Sequence, residues 1–262
     1  MKRRISWLAA LLAALMMLSP AAQAAELSET QAAVSAGEQA AAPAEDWQLL
    51  LVNPWHTLPE EFQVELKTLP NGMQVDQRIY DNLTDMLADC KAAGLCPLVC
   101  SAYRSMETQT RLYRNKITRL RAAGYAKDAA VEEAGRWVAV PGTSEHQTGL
   151  AVDLVAASYQ VLDQNQEKTA EQKWLMEHCW EYGFILRYPT EKCEITGIGY
   201  EPWHYRYVGK AAAAALHEDG LCLEEYLETL EAAEKTSEQA KNAGTPLRSP
   251  GIFSAVRPQS KN

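Results

Sequence analysis

Apolar positions along the chain change their period at recognisable points, and those changes divide it into elements. Leu49-Leu50-Leu51-Val52 forms a short strand-like run, followed by a polar, Pro-containing stretch. Residues 77–93 place Ile79, Leu83, Met86, Leu87 and Cys90 at helical spacing, with Gly94 as the stop. Cys96–Ser101 reads as a short buried strand, and helical stretches with charged outer faces follow at 105–123 and 126–138. Pro141-Gly142 interrupts the pattern, after which Leu150, Val152 and Leu154 alternate as in a strand within Ser144–Val155. A helix over 168–182 ends at Gly183, and Phe184–Leu186 and Tyr200–Val208 are further strands. Short helices at 210–217 and 223–233 close the pattern. Helices beside a small, mainly antiparallel sheet predict an α+β fold.

The two ends of the chain have a different character. Lys2, Arg3 and Arg4 precede an apolar run from Ile5 to Leu18, then Ser19-Pro20 and the small-x-small triplet Ala22-Gln23-Ala24. That order is the pattern of an export signal over residues 1–24. The apolar run is shorter than the roughly 20 residues that span a bilayer. An uncleaved N-terminal anchor is the alternative. With cleavage, the membrane is met only in transit and the protein is secreted, on the cell-wall side. Residues 25–46, rich in Ala, Glu, Gln and Ser, read as a flexible linker. The folded domain is expected over 47–235, with a polar, mostly disordered tail at 236–262.

Composition narrows the function by exclusion. Residues 1–24 hold three positive and no negative charges, so their removal takes the formal charge from −9 to −12. An acidic chain without basic clusters has little to offer phosphate backbones, which argues against nucleic acid as a partner. The six cysteines, Cys90, Cys96, Cys100, Cys179, Cys193 and Cys222, lack the paired C-x2-C knuckles of a structural zinc site and the C-x-x-C of a redox protein. They read as core thiols, with one or two bridges left open.

Two segments carry chemistry. The first runs Ser144-Glu145-His146-Gln147-Thr148-Gly149-Leu150-Ala151-Val152-Asp153. Its His at a loop end and its Asp seven residues on, along a strand, can point into one cleft. Gly149 and Ala151 leave room for a close backbone approach. The second is Glu201-Pro202-Trp203-His204, a Glu-x-x-His. Either segment alone is more often structural; both, in a chain with five histidines, point to a metal. His146, Asp153 and His204 give three protein ligands with a fourth position open, the makeup of a catalytic zinc site. A metal-activated water and a nearby Glu acting as base would complete hydrolysis. His56, His178 and His217 match no motif and read as ordinary surface or partly buried residues.

On these motifs the chain resembles the zinc D-alanyl-D-alanine carboxypeptidases of the VanY type, related to the D-Ala-D-Ala dipeptidases. The resemblance runs over roughly 47–232 and takes in Leu51-Val52-Asn53, Ser101-Ala102-Tyr103-Arg104-Ser105, the 144–153 segment, Gly183–Pro189 and Tyr200–Gly209. It implies His146, Asp153 and His204 as zinc ligands and Glu201 as general base. It sets Arg104 at the substrate, where it would stabilise the oxyanion; an ordinary ion pair or a grip on the terminal carboxylate are its alternatives. Gln109 and Ser144 match positions that look like substrate contacts, though either could cap a helix or turn. Trp203 could line the cleft or the core.

The resemblance implies a carboxypeptidase that removes the terminal D-Ala from peptidoglycan stem peptides; the export signal would place it outside the membrane, and a monomer is expected. An L,D-carboxypeptidase acting on tetrapeptide stems shares the metal site. A non-catalytic wall-binding module of the same fold would be expected to have lost a ligand or the base, and none is lost.

Overall fold

The computed structural model describes residues 47–242. The expected export signal, the linker and the last twenty residues of the expected tail lie outside the described residues. A hairpin of β1 (Leu66–Thr68) and β2 (Gln74–Asp76) precedes helix α1 (Tyr80–Ala92). Strand β3 (Pro97–Ser101) leads into helices α2 (Met106–Ala122) and α3 (Lys127–Gly135). The 3-10 turn Glu145–Thr148 then delivers β4 (Ala151–Ala156). Helix α4 (Ala170–His178) tightens into a 3-10 turn, Cys179–Tyr182, before β5 (Phe184–Leu186). The short α5 (Cys193–Thr196), β6 (His204–Tyr207), α6 (Lys210–Asp219) and α7 (Leu223–Asn242) follow.

The main sheet has four strands in the order β3-β4-β6-β5, each pair antiparallel. The α+β expectation therefore holds. Strand alternation decides which side chains meet. Val152 and Leu154 of β4, Tyr205 and Tyr207 of β6 and Phe184 of β5 join Ile79, Leu83, Met86 and Leu175 in one buried core. The register pairs Val152 with Tyr205 and Asp153 with His204, so the polar pair falls on the opposite face from that core. A second apolar cluster, Ile185, Val208, Ala212, Ala213, Leu216 and Leu223, packs α6 and the start of α7 near β5.

Four expectations need correction. Leu49–Val52 is not a strand: Trp47–Leu49 is a 3-10 turn, and the carbonyls of Gln48 and Leu50 accept bonds from Arg206 instead of joining a ladder. The polar stretch after it contains the β1–β2 hairpin, whose strands are three residues each and too short for a visible period. Strand β3 is an edge of the sheet and only Pro97 in it is buried. The last helix runs on past 233 to Asn242, seven residues into the expected tail.

All six cysteines are free thiols; Cys90, Cys179 and Cys222 are buried and Cys96 is exposed, so none forms a bridge.

Gly149 fixes where β4 begins. It sits at φ +75°, its carbonyl accepts from the Asp76 amide at 3.0 Å, and a Cβ there would lie 2.8 Å from that same nitrogen. Gly124, at φ +97°, has open space around it. Gly149→Ala should therefore cost about 2–4 kcal/mol, combining left-handed strain with overpacking, and Gly124→Ala only about 1–2 kcal/mol. Urea unfolding midpoints of the two variants compare them directly; equal losses would mean that the approach to Asp76 imposes no constraint.

Candidate metal centre

Asp153 and His204 face each other because β4 and β6 pair them as direct cross-strand partners. His146 comes from the 3-10 turn that precedes β4, and its carbonyl accepts from the Arg104 amide at 3.0 Å, tying the turn to the end of β3. One ligand atom from each of the three side chains lies within 4.8 Å of the others, and all three residues are buried. The expected ligand trio is thus assembled by local structure from two motifs some fifty residues apart in sequence.

The donor chemistry can be tested for its fit to a cation. His146 Nδ1 lies 2.8 Å from the Ala102 carbonyl, which can only accept, so Nδ1 carries the ring proton. Its Nε2 lone pair then points at Asp153 Oδ2, 3.3 Å away. His204 Nδ1 lies 3.2 Å from Asp153 Oδ1 and its Nε2 lies 3.2 Å from Glu145 Oε2. The His146 Nε2 lone pair and the Asp153 carboxylate, brought this close, repel unless positive charge lies between them. Two imidazoles and one carboxylate converging in this way fit a divalent metal with nitrogen and oxygen preferences.

Electrostatics at the site run in both directions. Burial opposes ionisation of Asp153, but His146, His204 and Arg104 together hold its carboxyl well below the usual range. Burial, reinforced by the Arg104 charge, pulls His146 down to about 4. Burial would lower His204 too, but Asp153 and Glu145 outweigh it and lift it to about 9. Glu201 is 8% exposed, and burial pushes its carboxyl up to about 8, with His204 pulling the other way. Its Oε2 stands 3.8 Å from His204 Nδ1. Glu201 sits in the turn ahead of β6, not on the strand itself.

The three ligands, Glu201, Arg104 and Ser144 line one cleft of about 850 Å³. Arg104 donates from Nη2 to Asp153 Oδ2 at 2.8 Å and from Nε to Ser101 Oγ at 2.9 Å. Nη1 of the same guanidinium has no protein partner among the described residues. Ser144 faces the cleft and its side chain makes no capping bond. Trp203 is buried and also lines the cleft.

Gln109, expected as a substrate contact, is held next to the cleft wall. It is fully buried behind the wall, where Nε2 donates to the Ala139 carbonyl at 2.7 Å and Oε1 has no partner among the described residues. Ala139 lines the cleft, so Gln109 is bonded to its wall.

His56 bonds Asn53, His178 bonds Glu181, and His217 stacks on Trp180, all away from the site. Sequence reasoning assigned no role to Tyr188, whose buried ring lies 4.7 Å from that of His204, or to Glu145 beneath it. Both fall inside segments that carry the family resemblance, Glu145 in 144–153 and Tyr188 in Gly183–Pro189, and that placement is the signal that could have drawn attention to them.

Residues 72–210 match the family model for VanY, D-alanyl-D-alanine carboxypeptidase. A D-alanyl-D-alanine carboxypeptidase of Enterococcus faecalis is 45% identical over 185 residues, covering 71% of this chain and 67% of that protein. The solved VanYB in complex with D-alanine-D-alanine is 46% identical and superposes with a TM-score of 0.65, over 70% of this chain and 98% of that one. A vancomycin-resistance D,D-pentapeptidase VanY variant, from a VanB-type resistance cassette and in complex with Zn(II), is 45% identical with a TM-score of 0.64, over 69% and 99%. On a family model that spans more than half of it and a relative this similar, the chain belongs to the VanY family of D-alanyl-D-alanine carboxypeptidases.

Proposed function

We propose that this chain is an exported zinc D,D-carboxypeptidase that removes the terminal D-Ala from peptidoglycan stem peptides by attack of a metal-activated water. The observation that carries the reading is the convergence of His146 Nε2, His204 Nδ1 and the Asp153 carboxylate at the floor of an open cleft. Zinc bound by these three would supply Lewis acidity, polarising the scissile carbonyl and lowering the pKa of water towards about 7. Relatives crystallised with Zn(II) and with D-Ala-D-Ala support both the metal and a substrate ending in D-Ala. The same D-Ala-D-Ala complex favours D,D over L,D hydrolysis. Stem peptides lie outside the membrane, which agrees with the export pattern of residues 1–24.

The chain's own residues divide the remaining work. Glu201 accepts the proton of the attacking water on its carboxylate and returns it to the leaving D-Ala nitrogen. Its buried setting raises its proton affinity towards the working pH, which suits a group that must both take and give a proton. Arg104 keeps Asp153 ionised through Nη2 and turns Nη1 to the oxyanion of the tetrahedral intermediate. Ser144, on the cleft wall beside His146, contacts the peptide. Gln109 holds the wall at Ala139 in shape.

Incubating the purified protein with pentapeptide and tetrapeptide stems tests the reading. D-Ala should be released from the pentapeptide, leaving the tetrapeptide untouched; release from the tetrapeptide alone would favour the L,D reading.

Glu201→Gln should keep zinc at about one equivalent and lose about 10²–10⁴ in kcat. Metal analysis beside turnover checks this, because loss of zinc would make Glu201 a ligand and not the base.

Arg104→Ala should lose about 10²–10³ in kcat with a smaller change in KM. Arg104→Lys should recover only part, since an ammonium cannot serve Asp153 and the oxyanion together from one planar fork. Kinetics are read on zinc-saturated protein; an unchanged kcat with raised KM would assign Arg104 to the substrate's carboxylate.

A further inference from the structure

Outside the residues given chemical roles, the densest buried charge in the described chain lies directly beneath His204. Glu145, Arg187 and Arg206 have fully buried side chains, and Glu224 is nearly so. The two oxygens of Glu145 are divided. Oε2 faces His204 Nε2 at 3.2 Å, while Oε1 accepts from Arg187 Nε at 2.7 Å and from Arg206 Nη1 at 2.8 Å.

Each arginine is pinned in turn. Arg187 donates through Nη1 and Nη2 to the two oxygens of Glu224, at 2.8 and 2.6 Å, and Asn53 Nδ2 donates to the same carboxylate at 3.0 Å. Arg206 donates to the carbonyls of Gln48, Leu50 and Tyr207. The Glu145 carboxylate is left with little freedom to rotate.

Four charges buried together are poor value as a stabilising device. Taking ions out of water costs several kcal/mol each, and well-packed apolar residues of similar volume commonly do as well or better. The directional feature of this cluster is the one oxygen it presents to a ring nitrogen. That nitrogen belongs to the one ligand with carboxylates on both sides. In the neutral ring that a metal requires, donating Nε2–H to Glu145 fixes the tautomer of His204 and leaves the Nδ1 lone pair on the Asp153 side. A carboxylate behind a ligating histidine also strengthens it as a donor.

From this geometry we propose that Glu145 is a positioning residue for the metal, with Arg187 and Arg206 as the clamp that holds its carboxylate against His204. The proposal rests on the zinc reading above. It adds to that reading a residue one position before His146 and two arginines, one of them two residues along β6 from His204 on the same face of the strand.

Glu145→Asp is the informative variant. It keeps the negative charge for the arginines but draws the carboxylate back by one methylene from His204. Glu145→Gln keeps the length and removes the charge. Glu224→Gln cuts the cluster at its far end and serves as control. The readouts are zinc affinity by competition with a chromophoric chelator, the visible spectrum of the Co(II)-substituted protein, and the melting temperature of the metal-free protein.

Both Glu145 variants should bind zinc about 10–100-fold more weakly and shift the Co(II) bands. Glu224→Gln should lower the melting temperature while leaving zinc affinity within about twofold of wild type, the margin expected when the ligand's own partner is intact. If Glu145→Asp bound zinc like wild type and only melted earlier, the cluster would be structural and the proposal wrong. Wild-type protein that took up no zinc in the same titration would overturn the metal reading and this inference with it.

Discussion

The antiparallel pairing of β4 with β6 is the constraint on which the site depends. It opposes Val152 to Tyr205 in the core and Asp153 to His204 on the other face. Side-chain direction has a period of two, so a slip of one residue in either strand would exchange these faces. An ionised carboxylate would then face Leu83 and Met86, where an unpaired charge is far costlier than a lost apolar contact. The same register that buries the core therefore excludes its competitor by many kcal/mol and assembles two metal donors at once. His146 needs one more device, a turn that brings it back over the sheet. The tight approach of Gly149 to Asp76 and the bond from the Arg104 amide to the His146 carbonyl supply it.

Features governed by local periodicity were legible in the sequence. The alternation of Leu150, Val152 and Leu154 marked β4 and the spacing of Ile79, Leu83, Met86 and Cys90 marked α1, and both lie where expected. The ligand trio was legible because His146 and Asp153 share one short segment and His204 follows a recognisable Glu. Features decided by distant partners were not. Leu49–Val52 looks like a strand, yet two carbonyls in it and beside it are claimed by Arg206, more than 150 residues away. The charged face of α2 reads as solvated surface, but Asn115, Lys116 and Arg119 on it line the cleft. Gln109, on the same helix, turns inward to Ala139, and no spacing rule separates it from a residue that meets substrate. No spacing rule marks Glu145, Arg187 and Arg206 as one cluster, because their partners lie far apart in the sequence.

What turns this arrangement into chemistry is the different treatment of carboxylates within one small volume. Glu145 and Glu201 are both buried beside His204, and burial by itself would raise the pKa of each. Glu145 meets two guanidinium groups and is held far below the normal carboxylate range. Glu201 meets no arginine at bonding distance among the described residues, has acidic neighbours in Asp153 and Glu145, and moves up to about 8. A carboxylate fixed in its ionised form suits an orienting role, because its charge and hydrogen bonds do not change through a reaction cycle. One whose proton is balanced near neutrality suits a group that must accept a proton and release it again. The arginines lie on the side of His204 remote from Asp153, around Glu145, while Glu201 stands near His204 Nδ1 with no arginine at bonding distance among the described residues. The division leaves Asp153 as the anion shared by both imidazoles and Arg104.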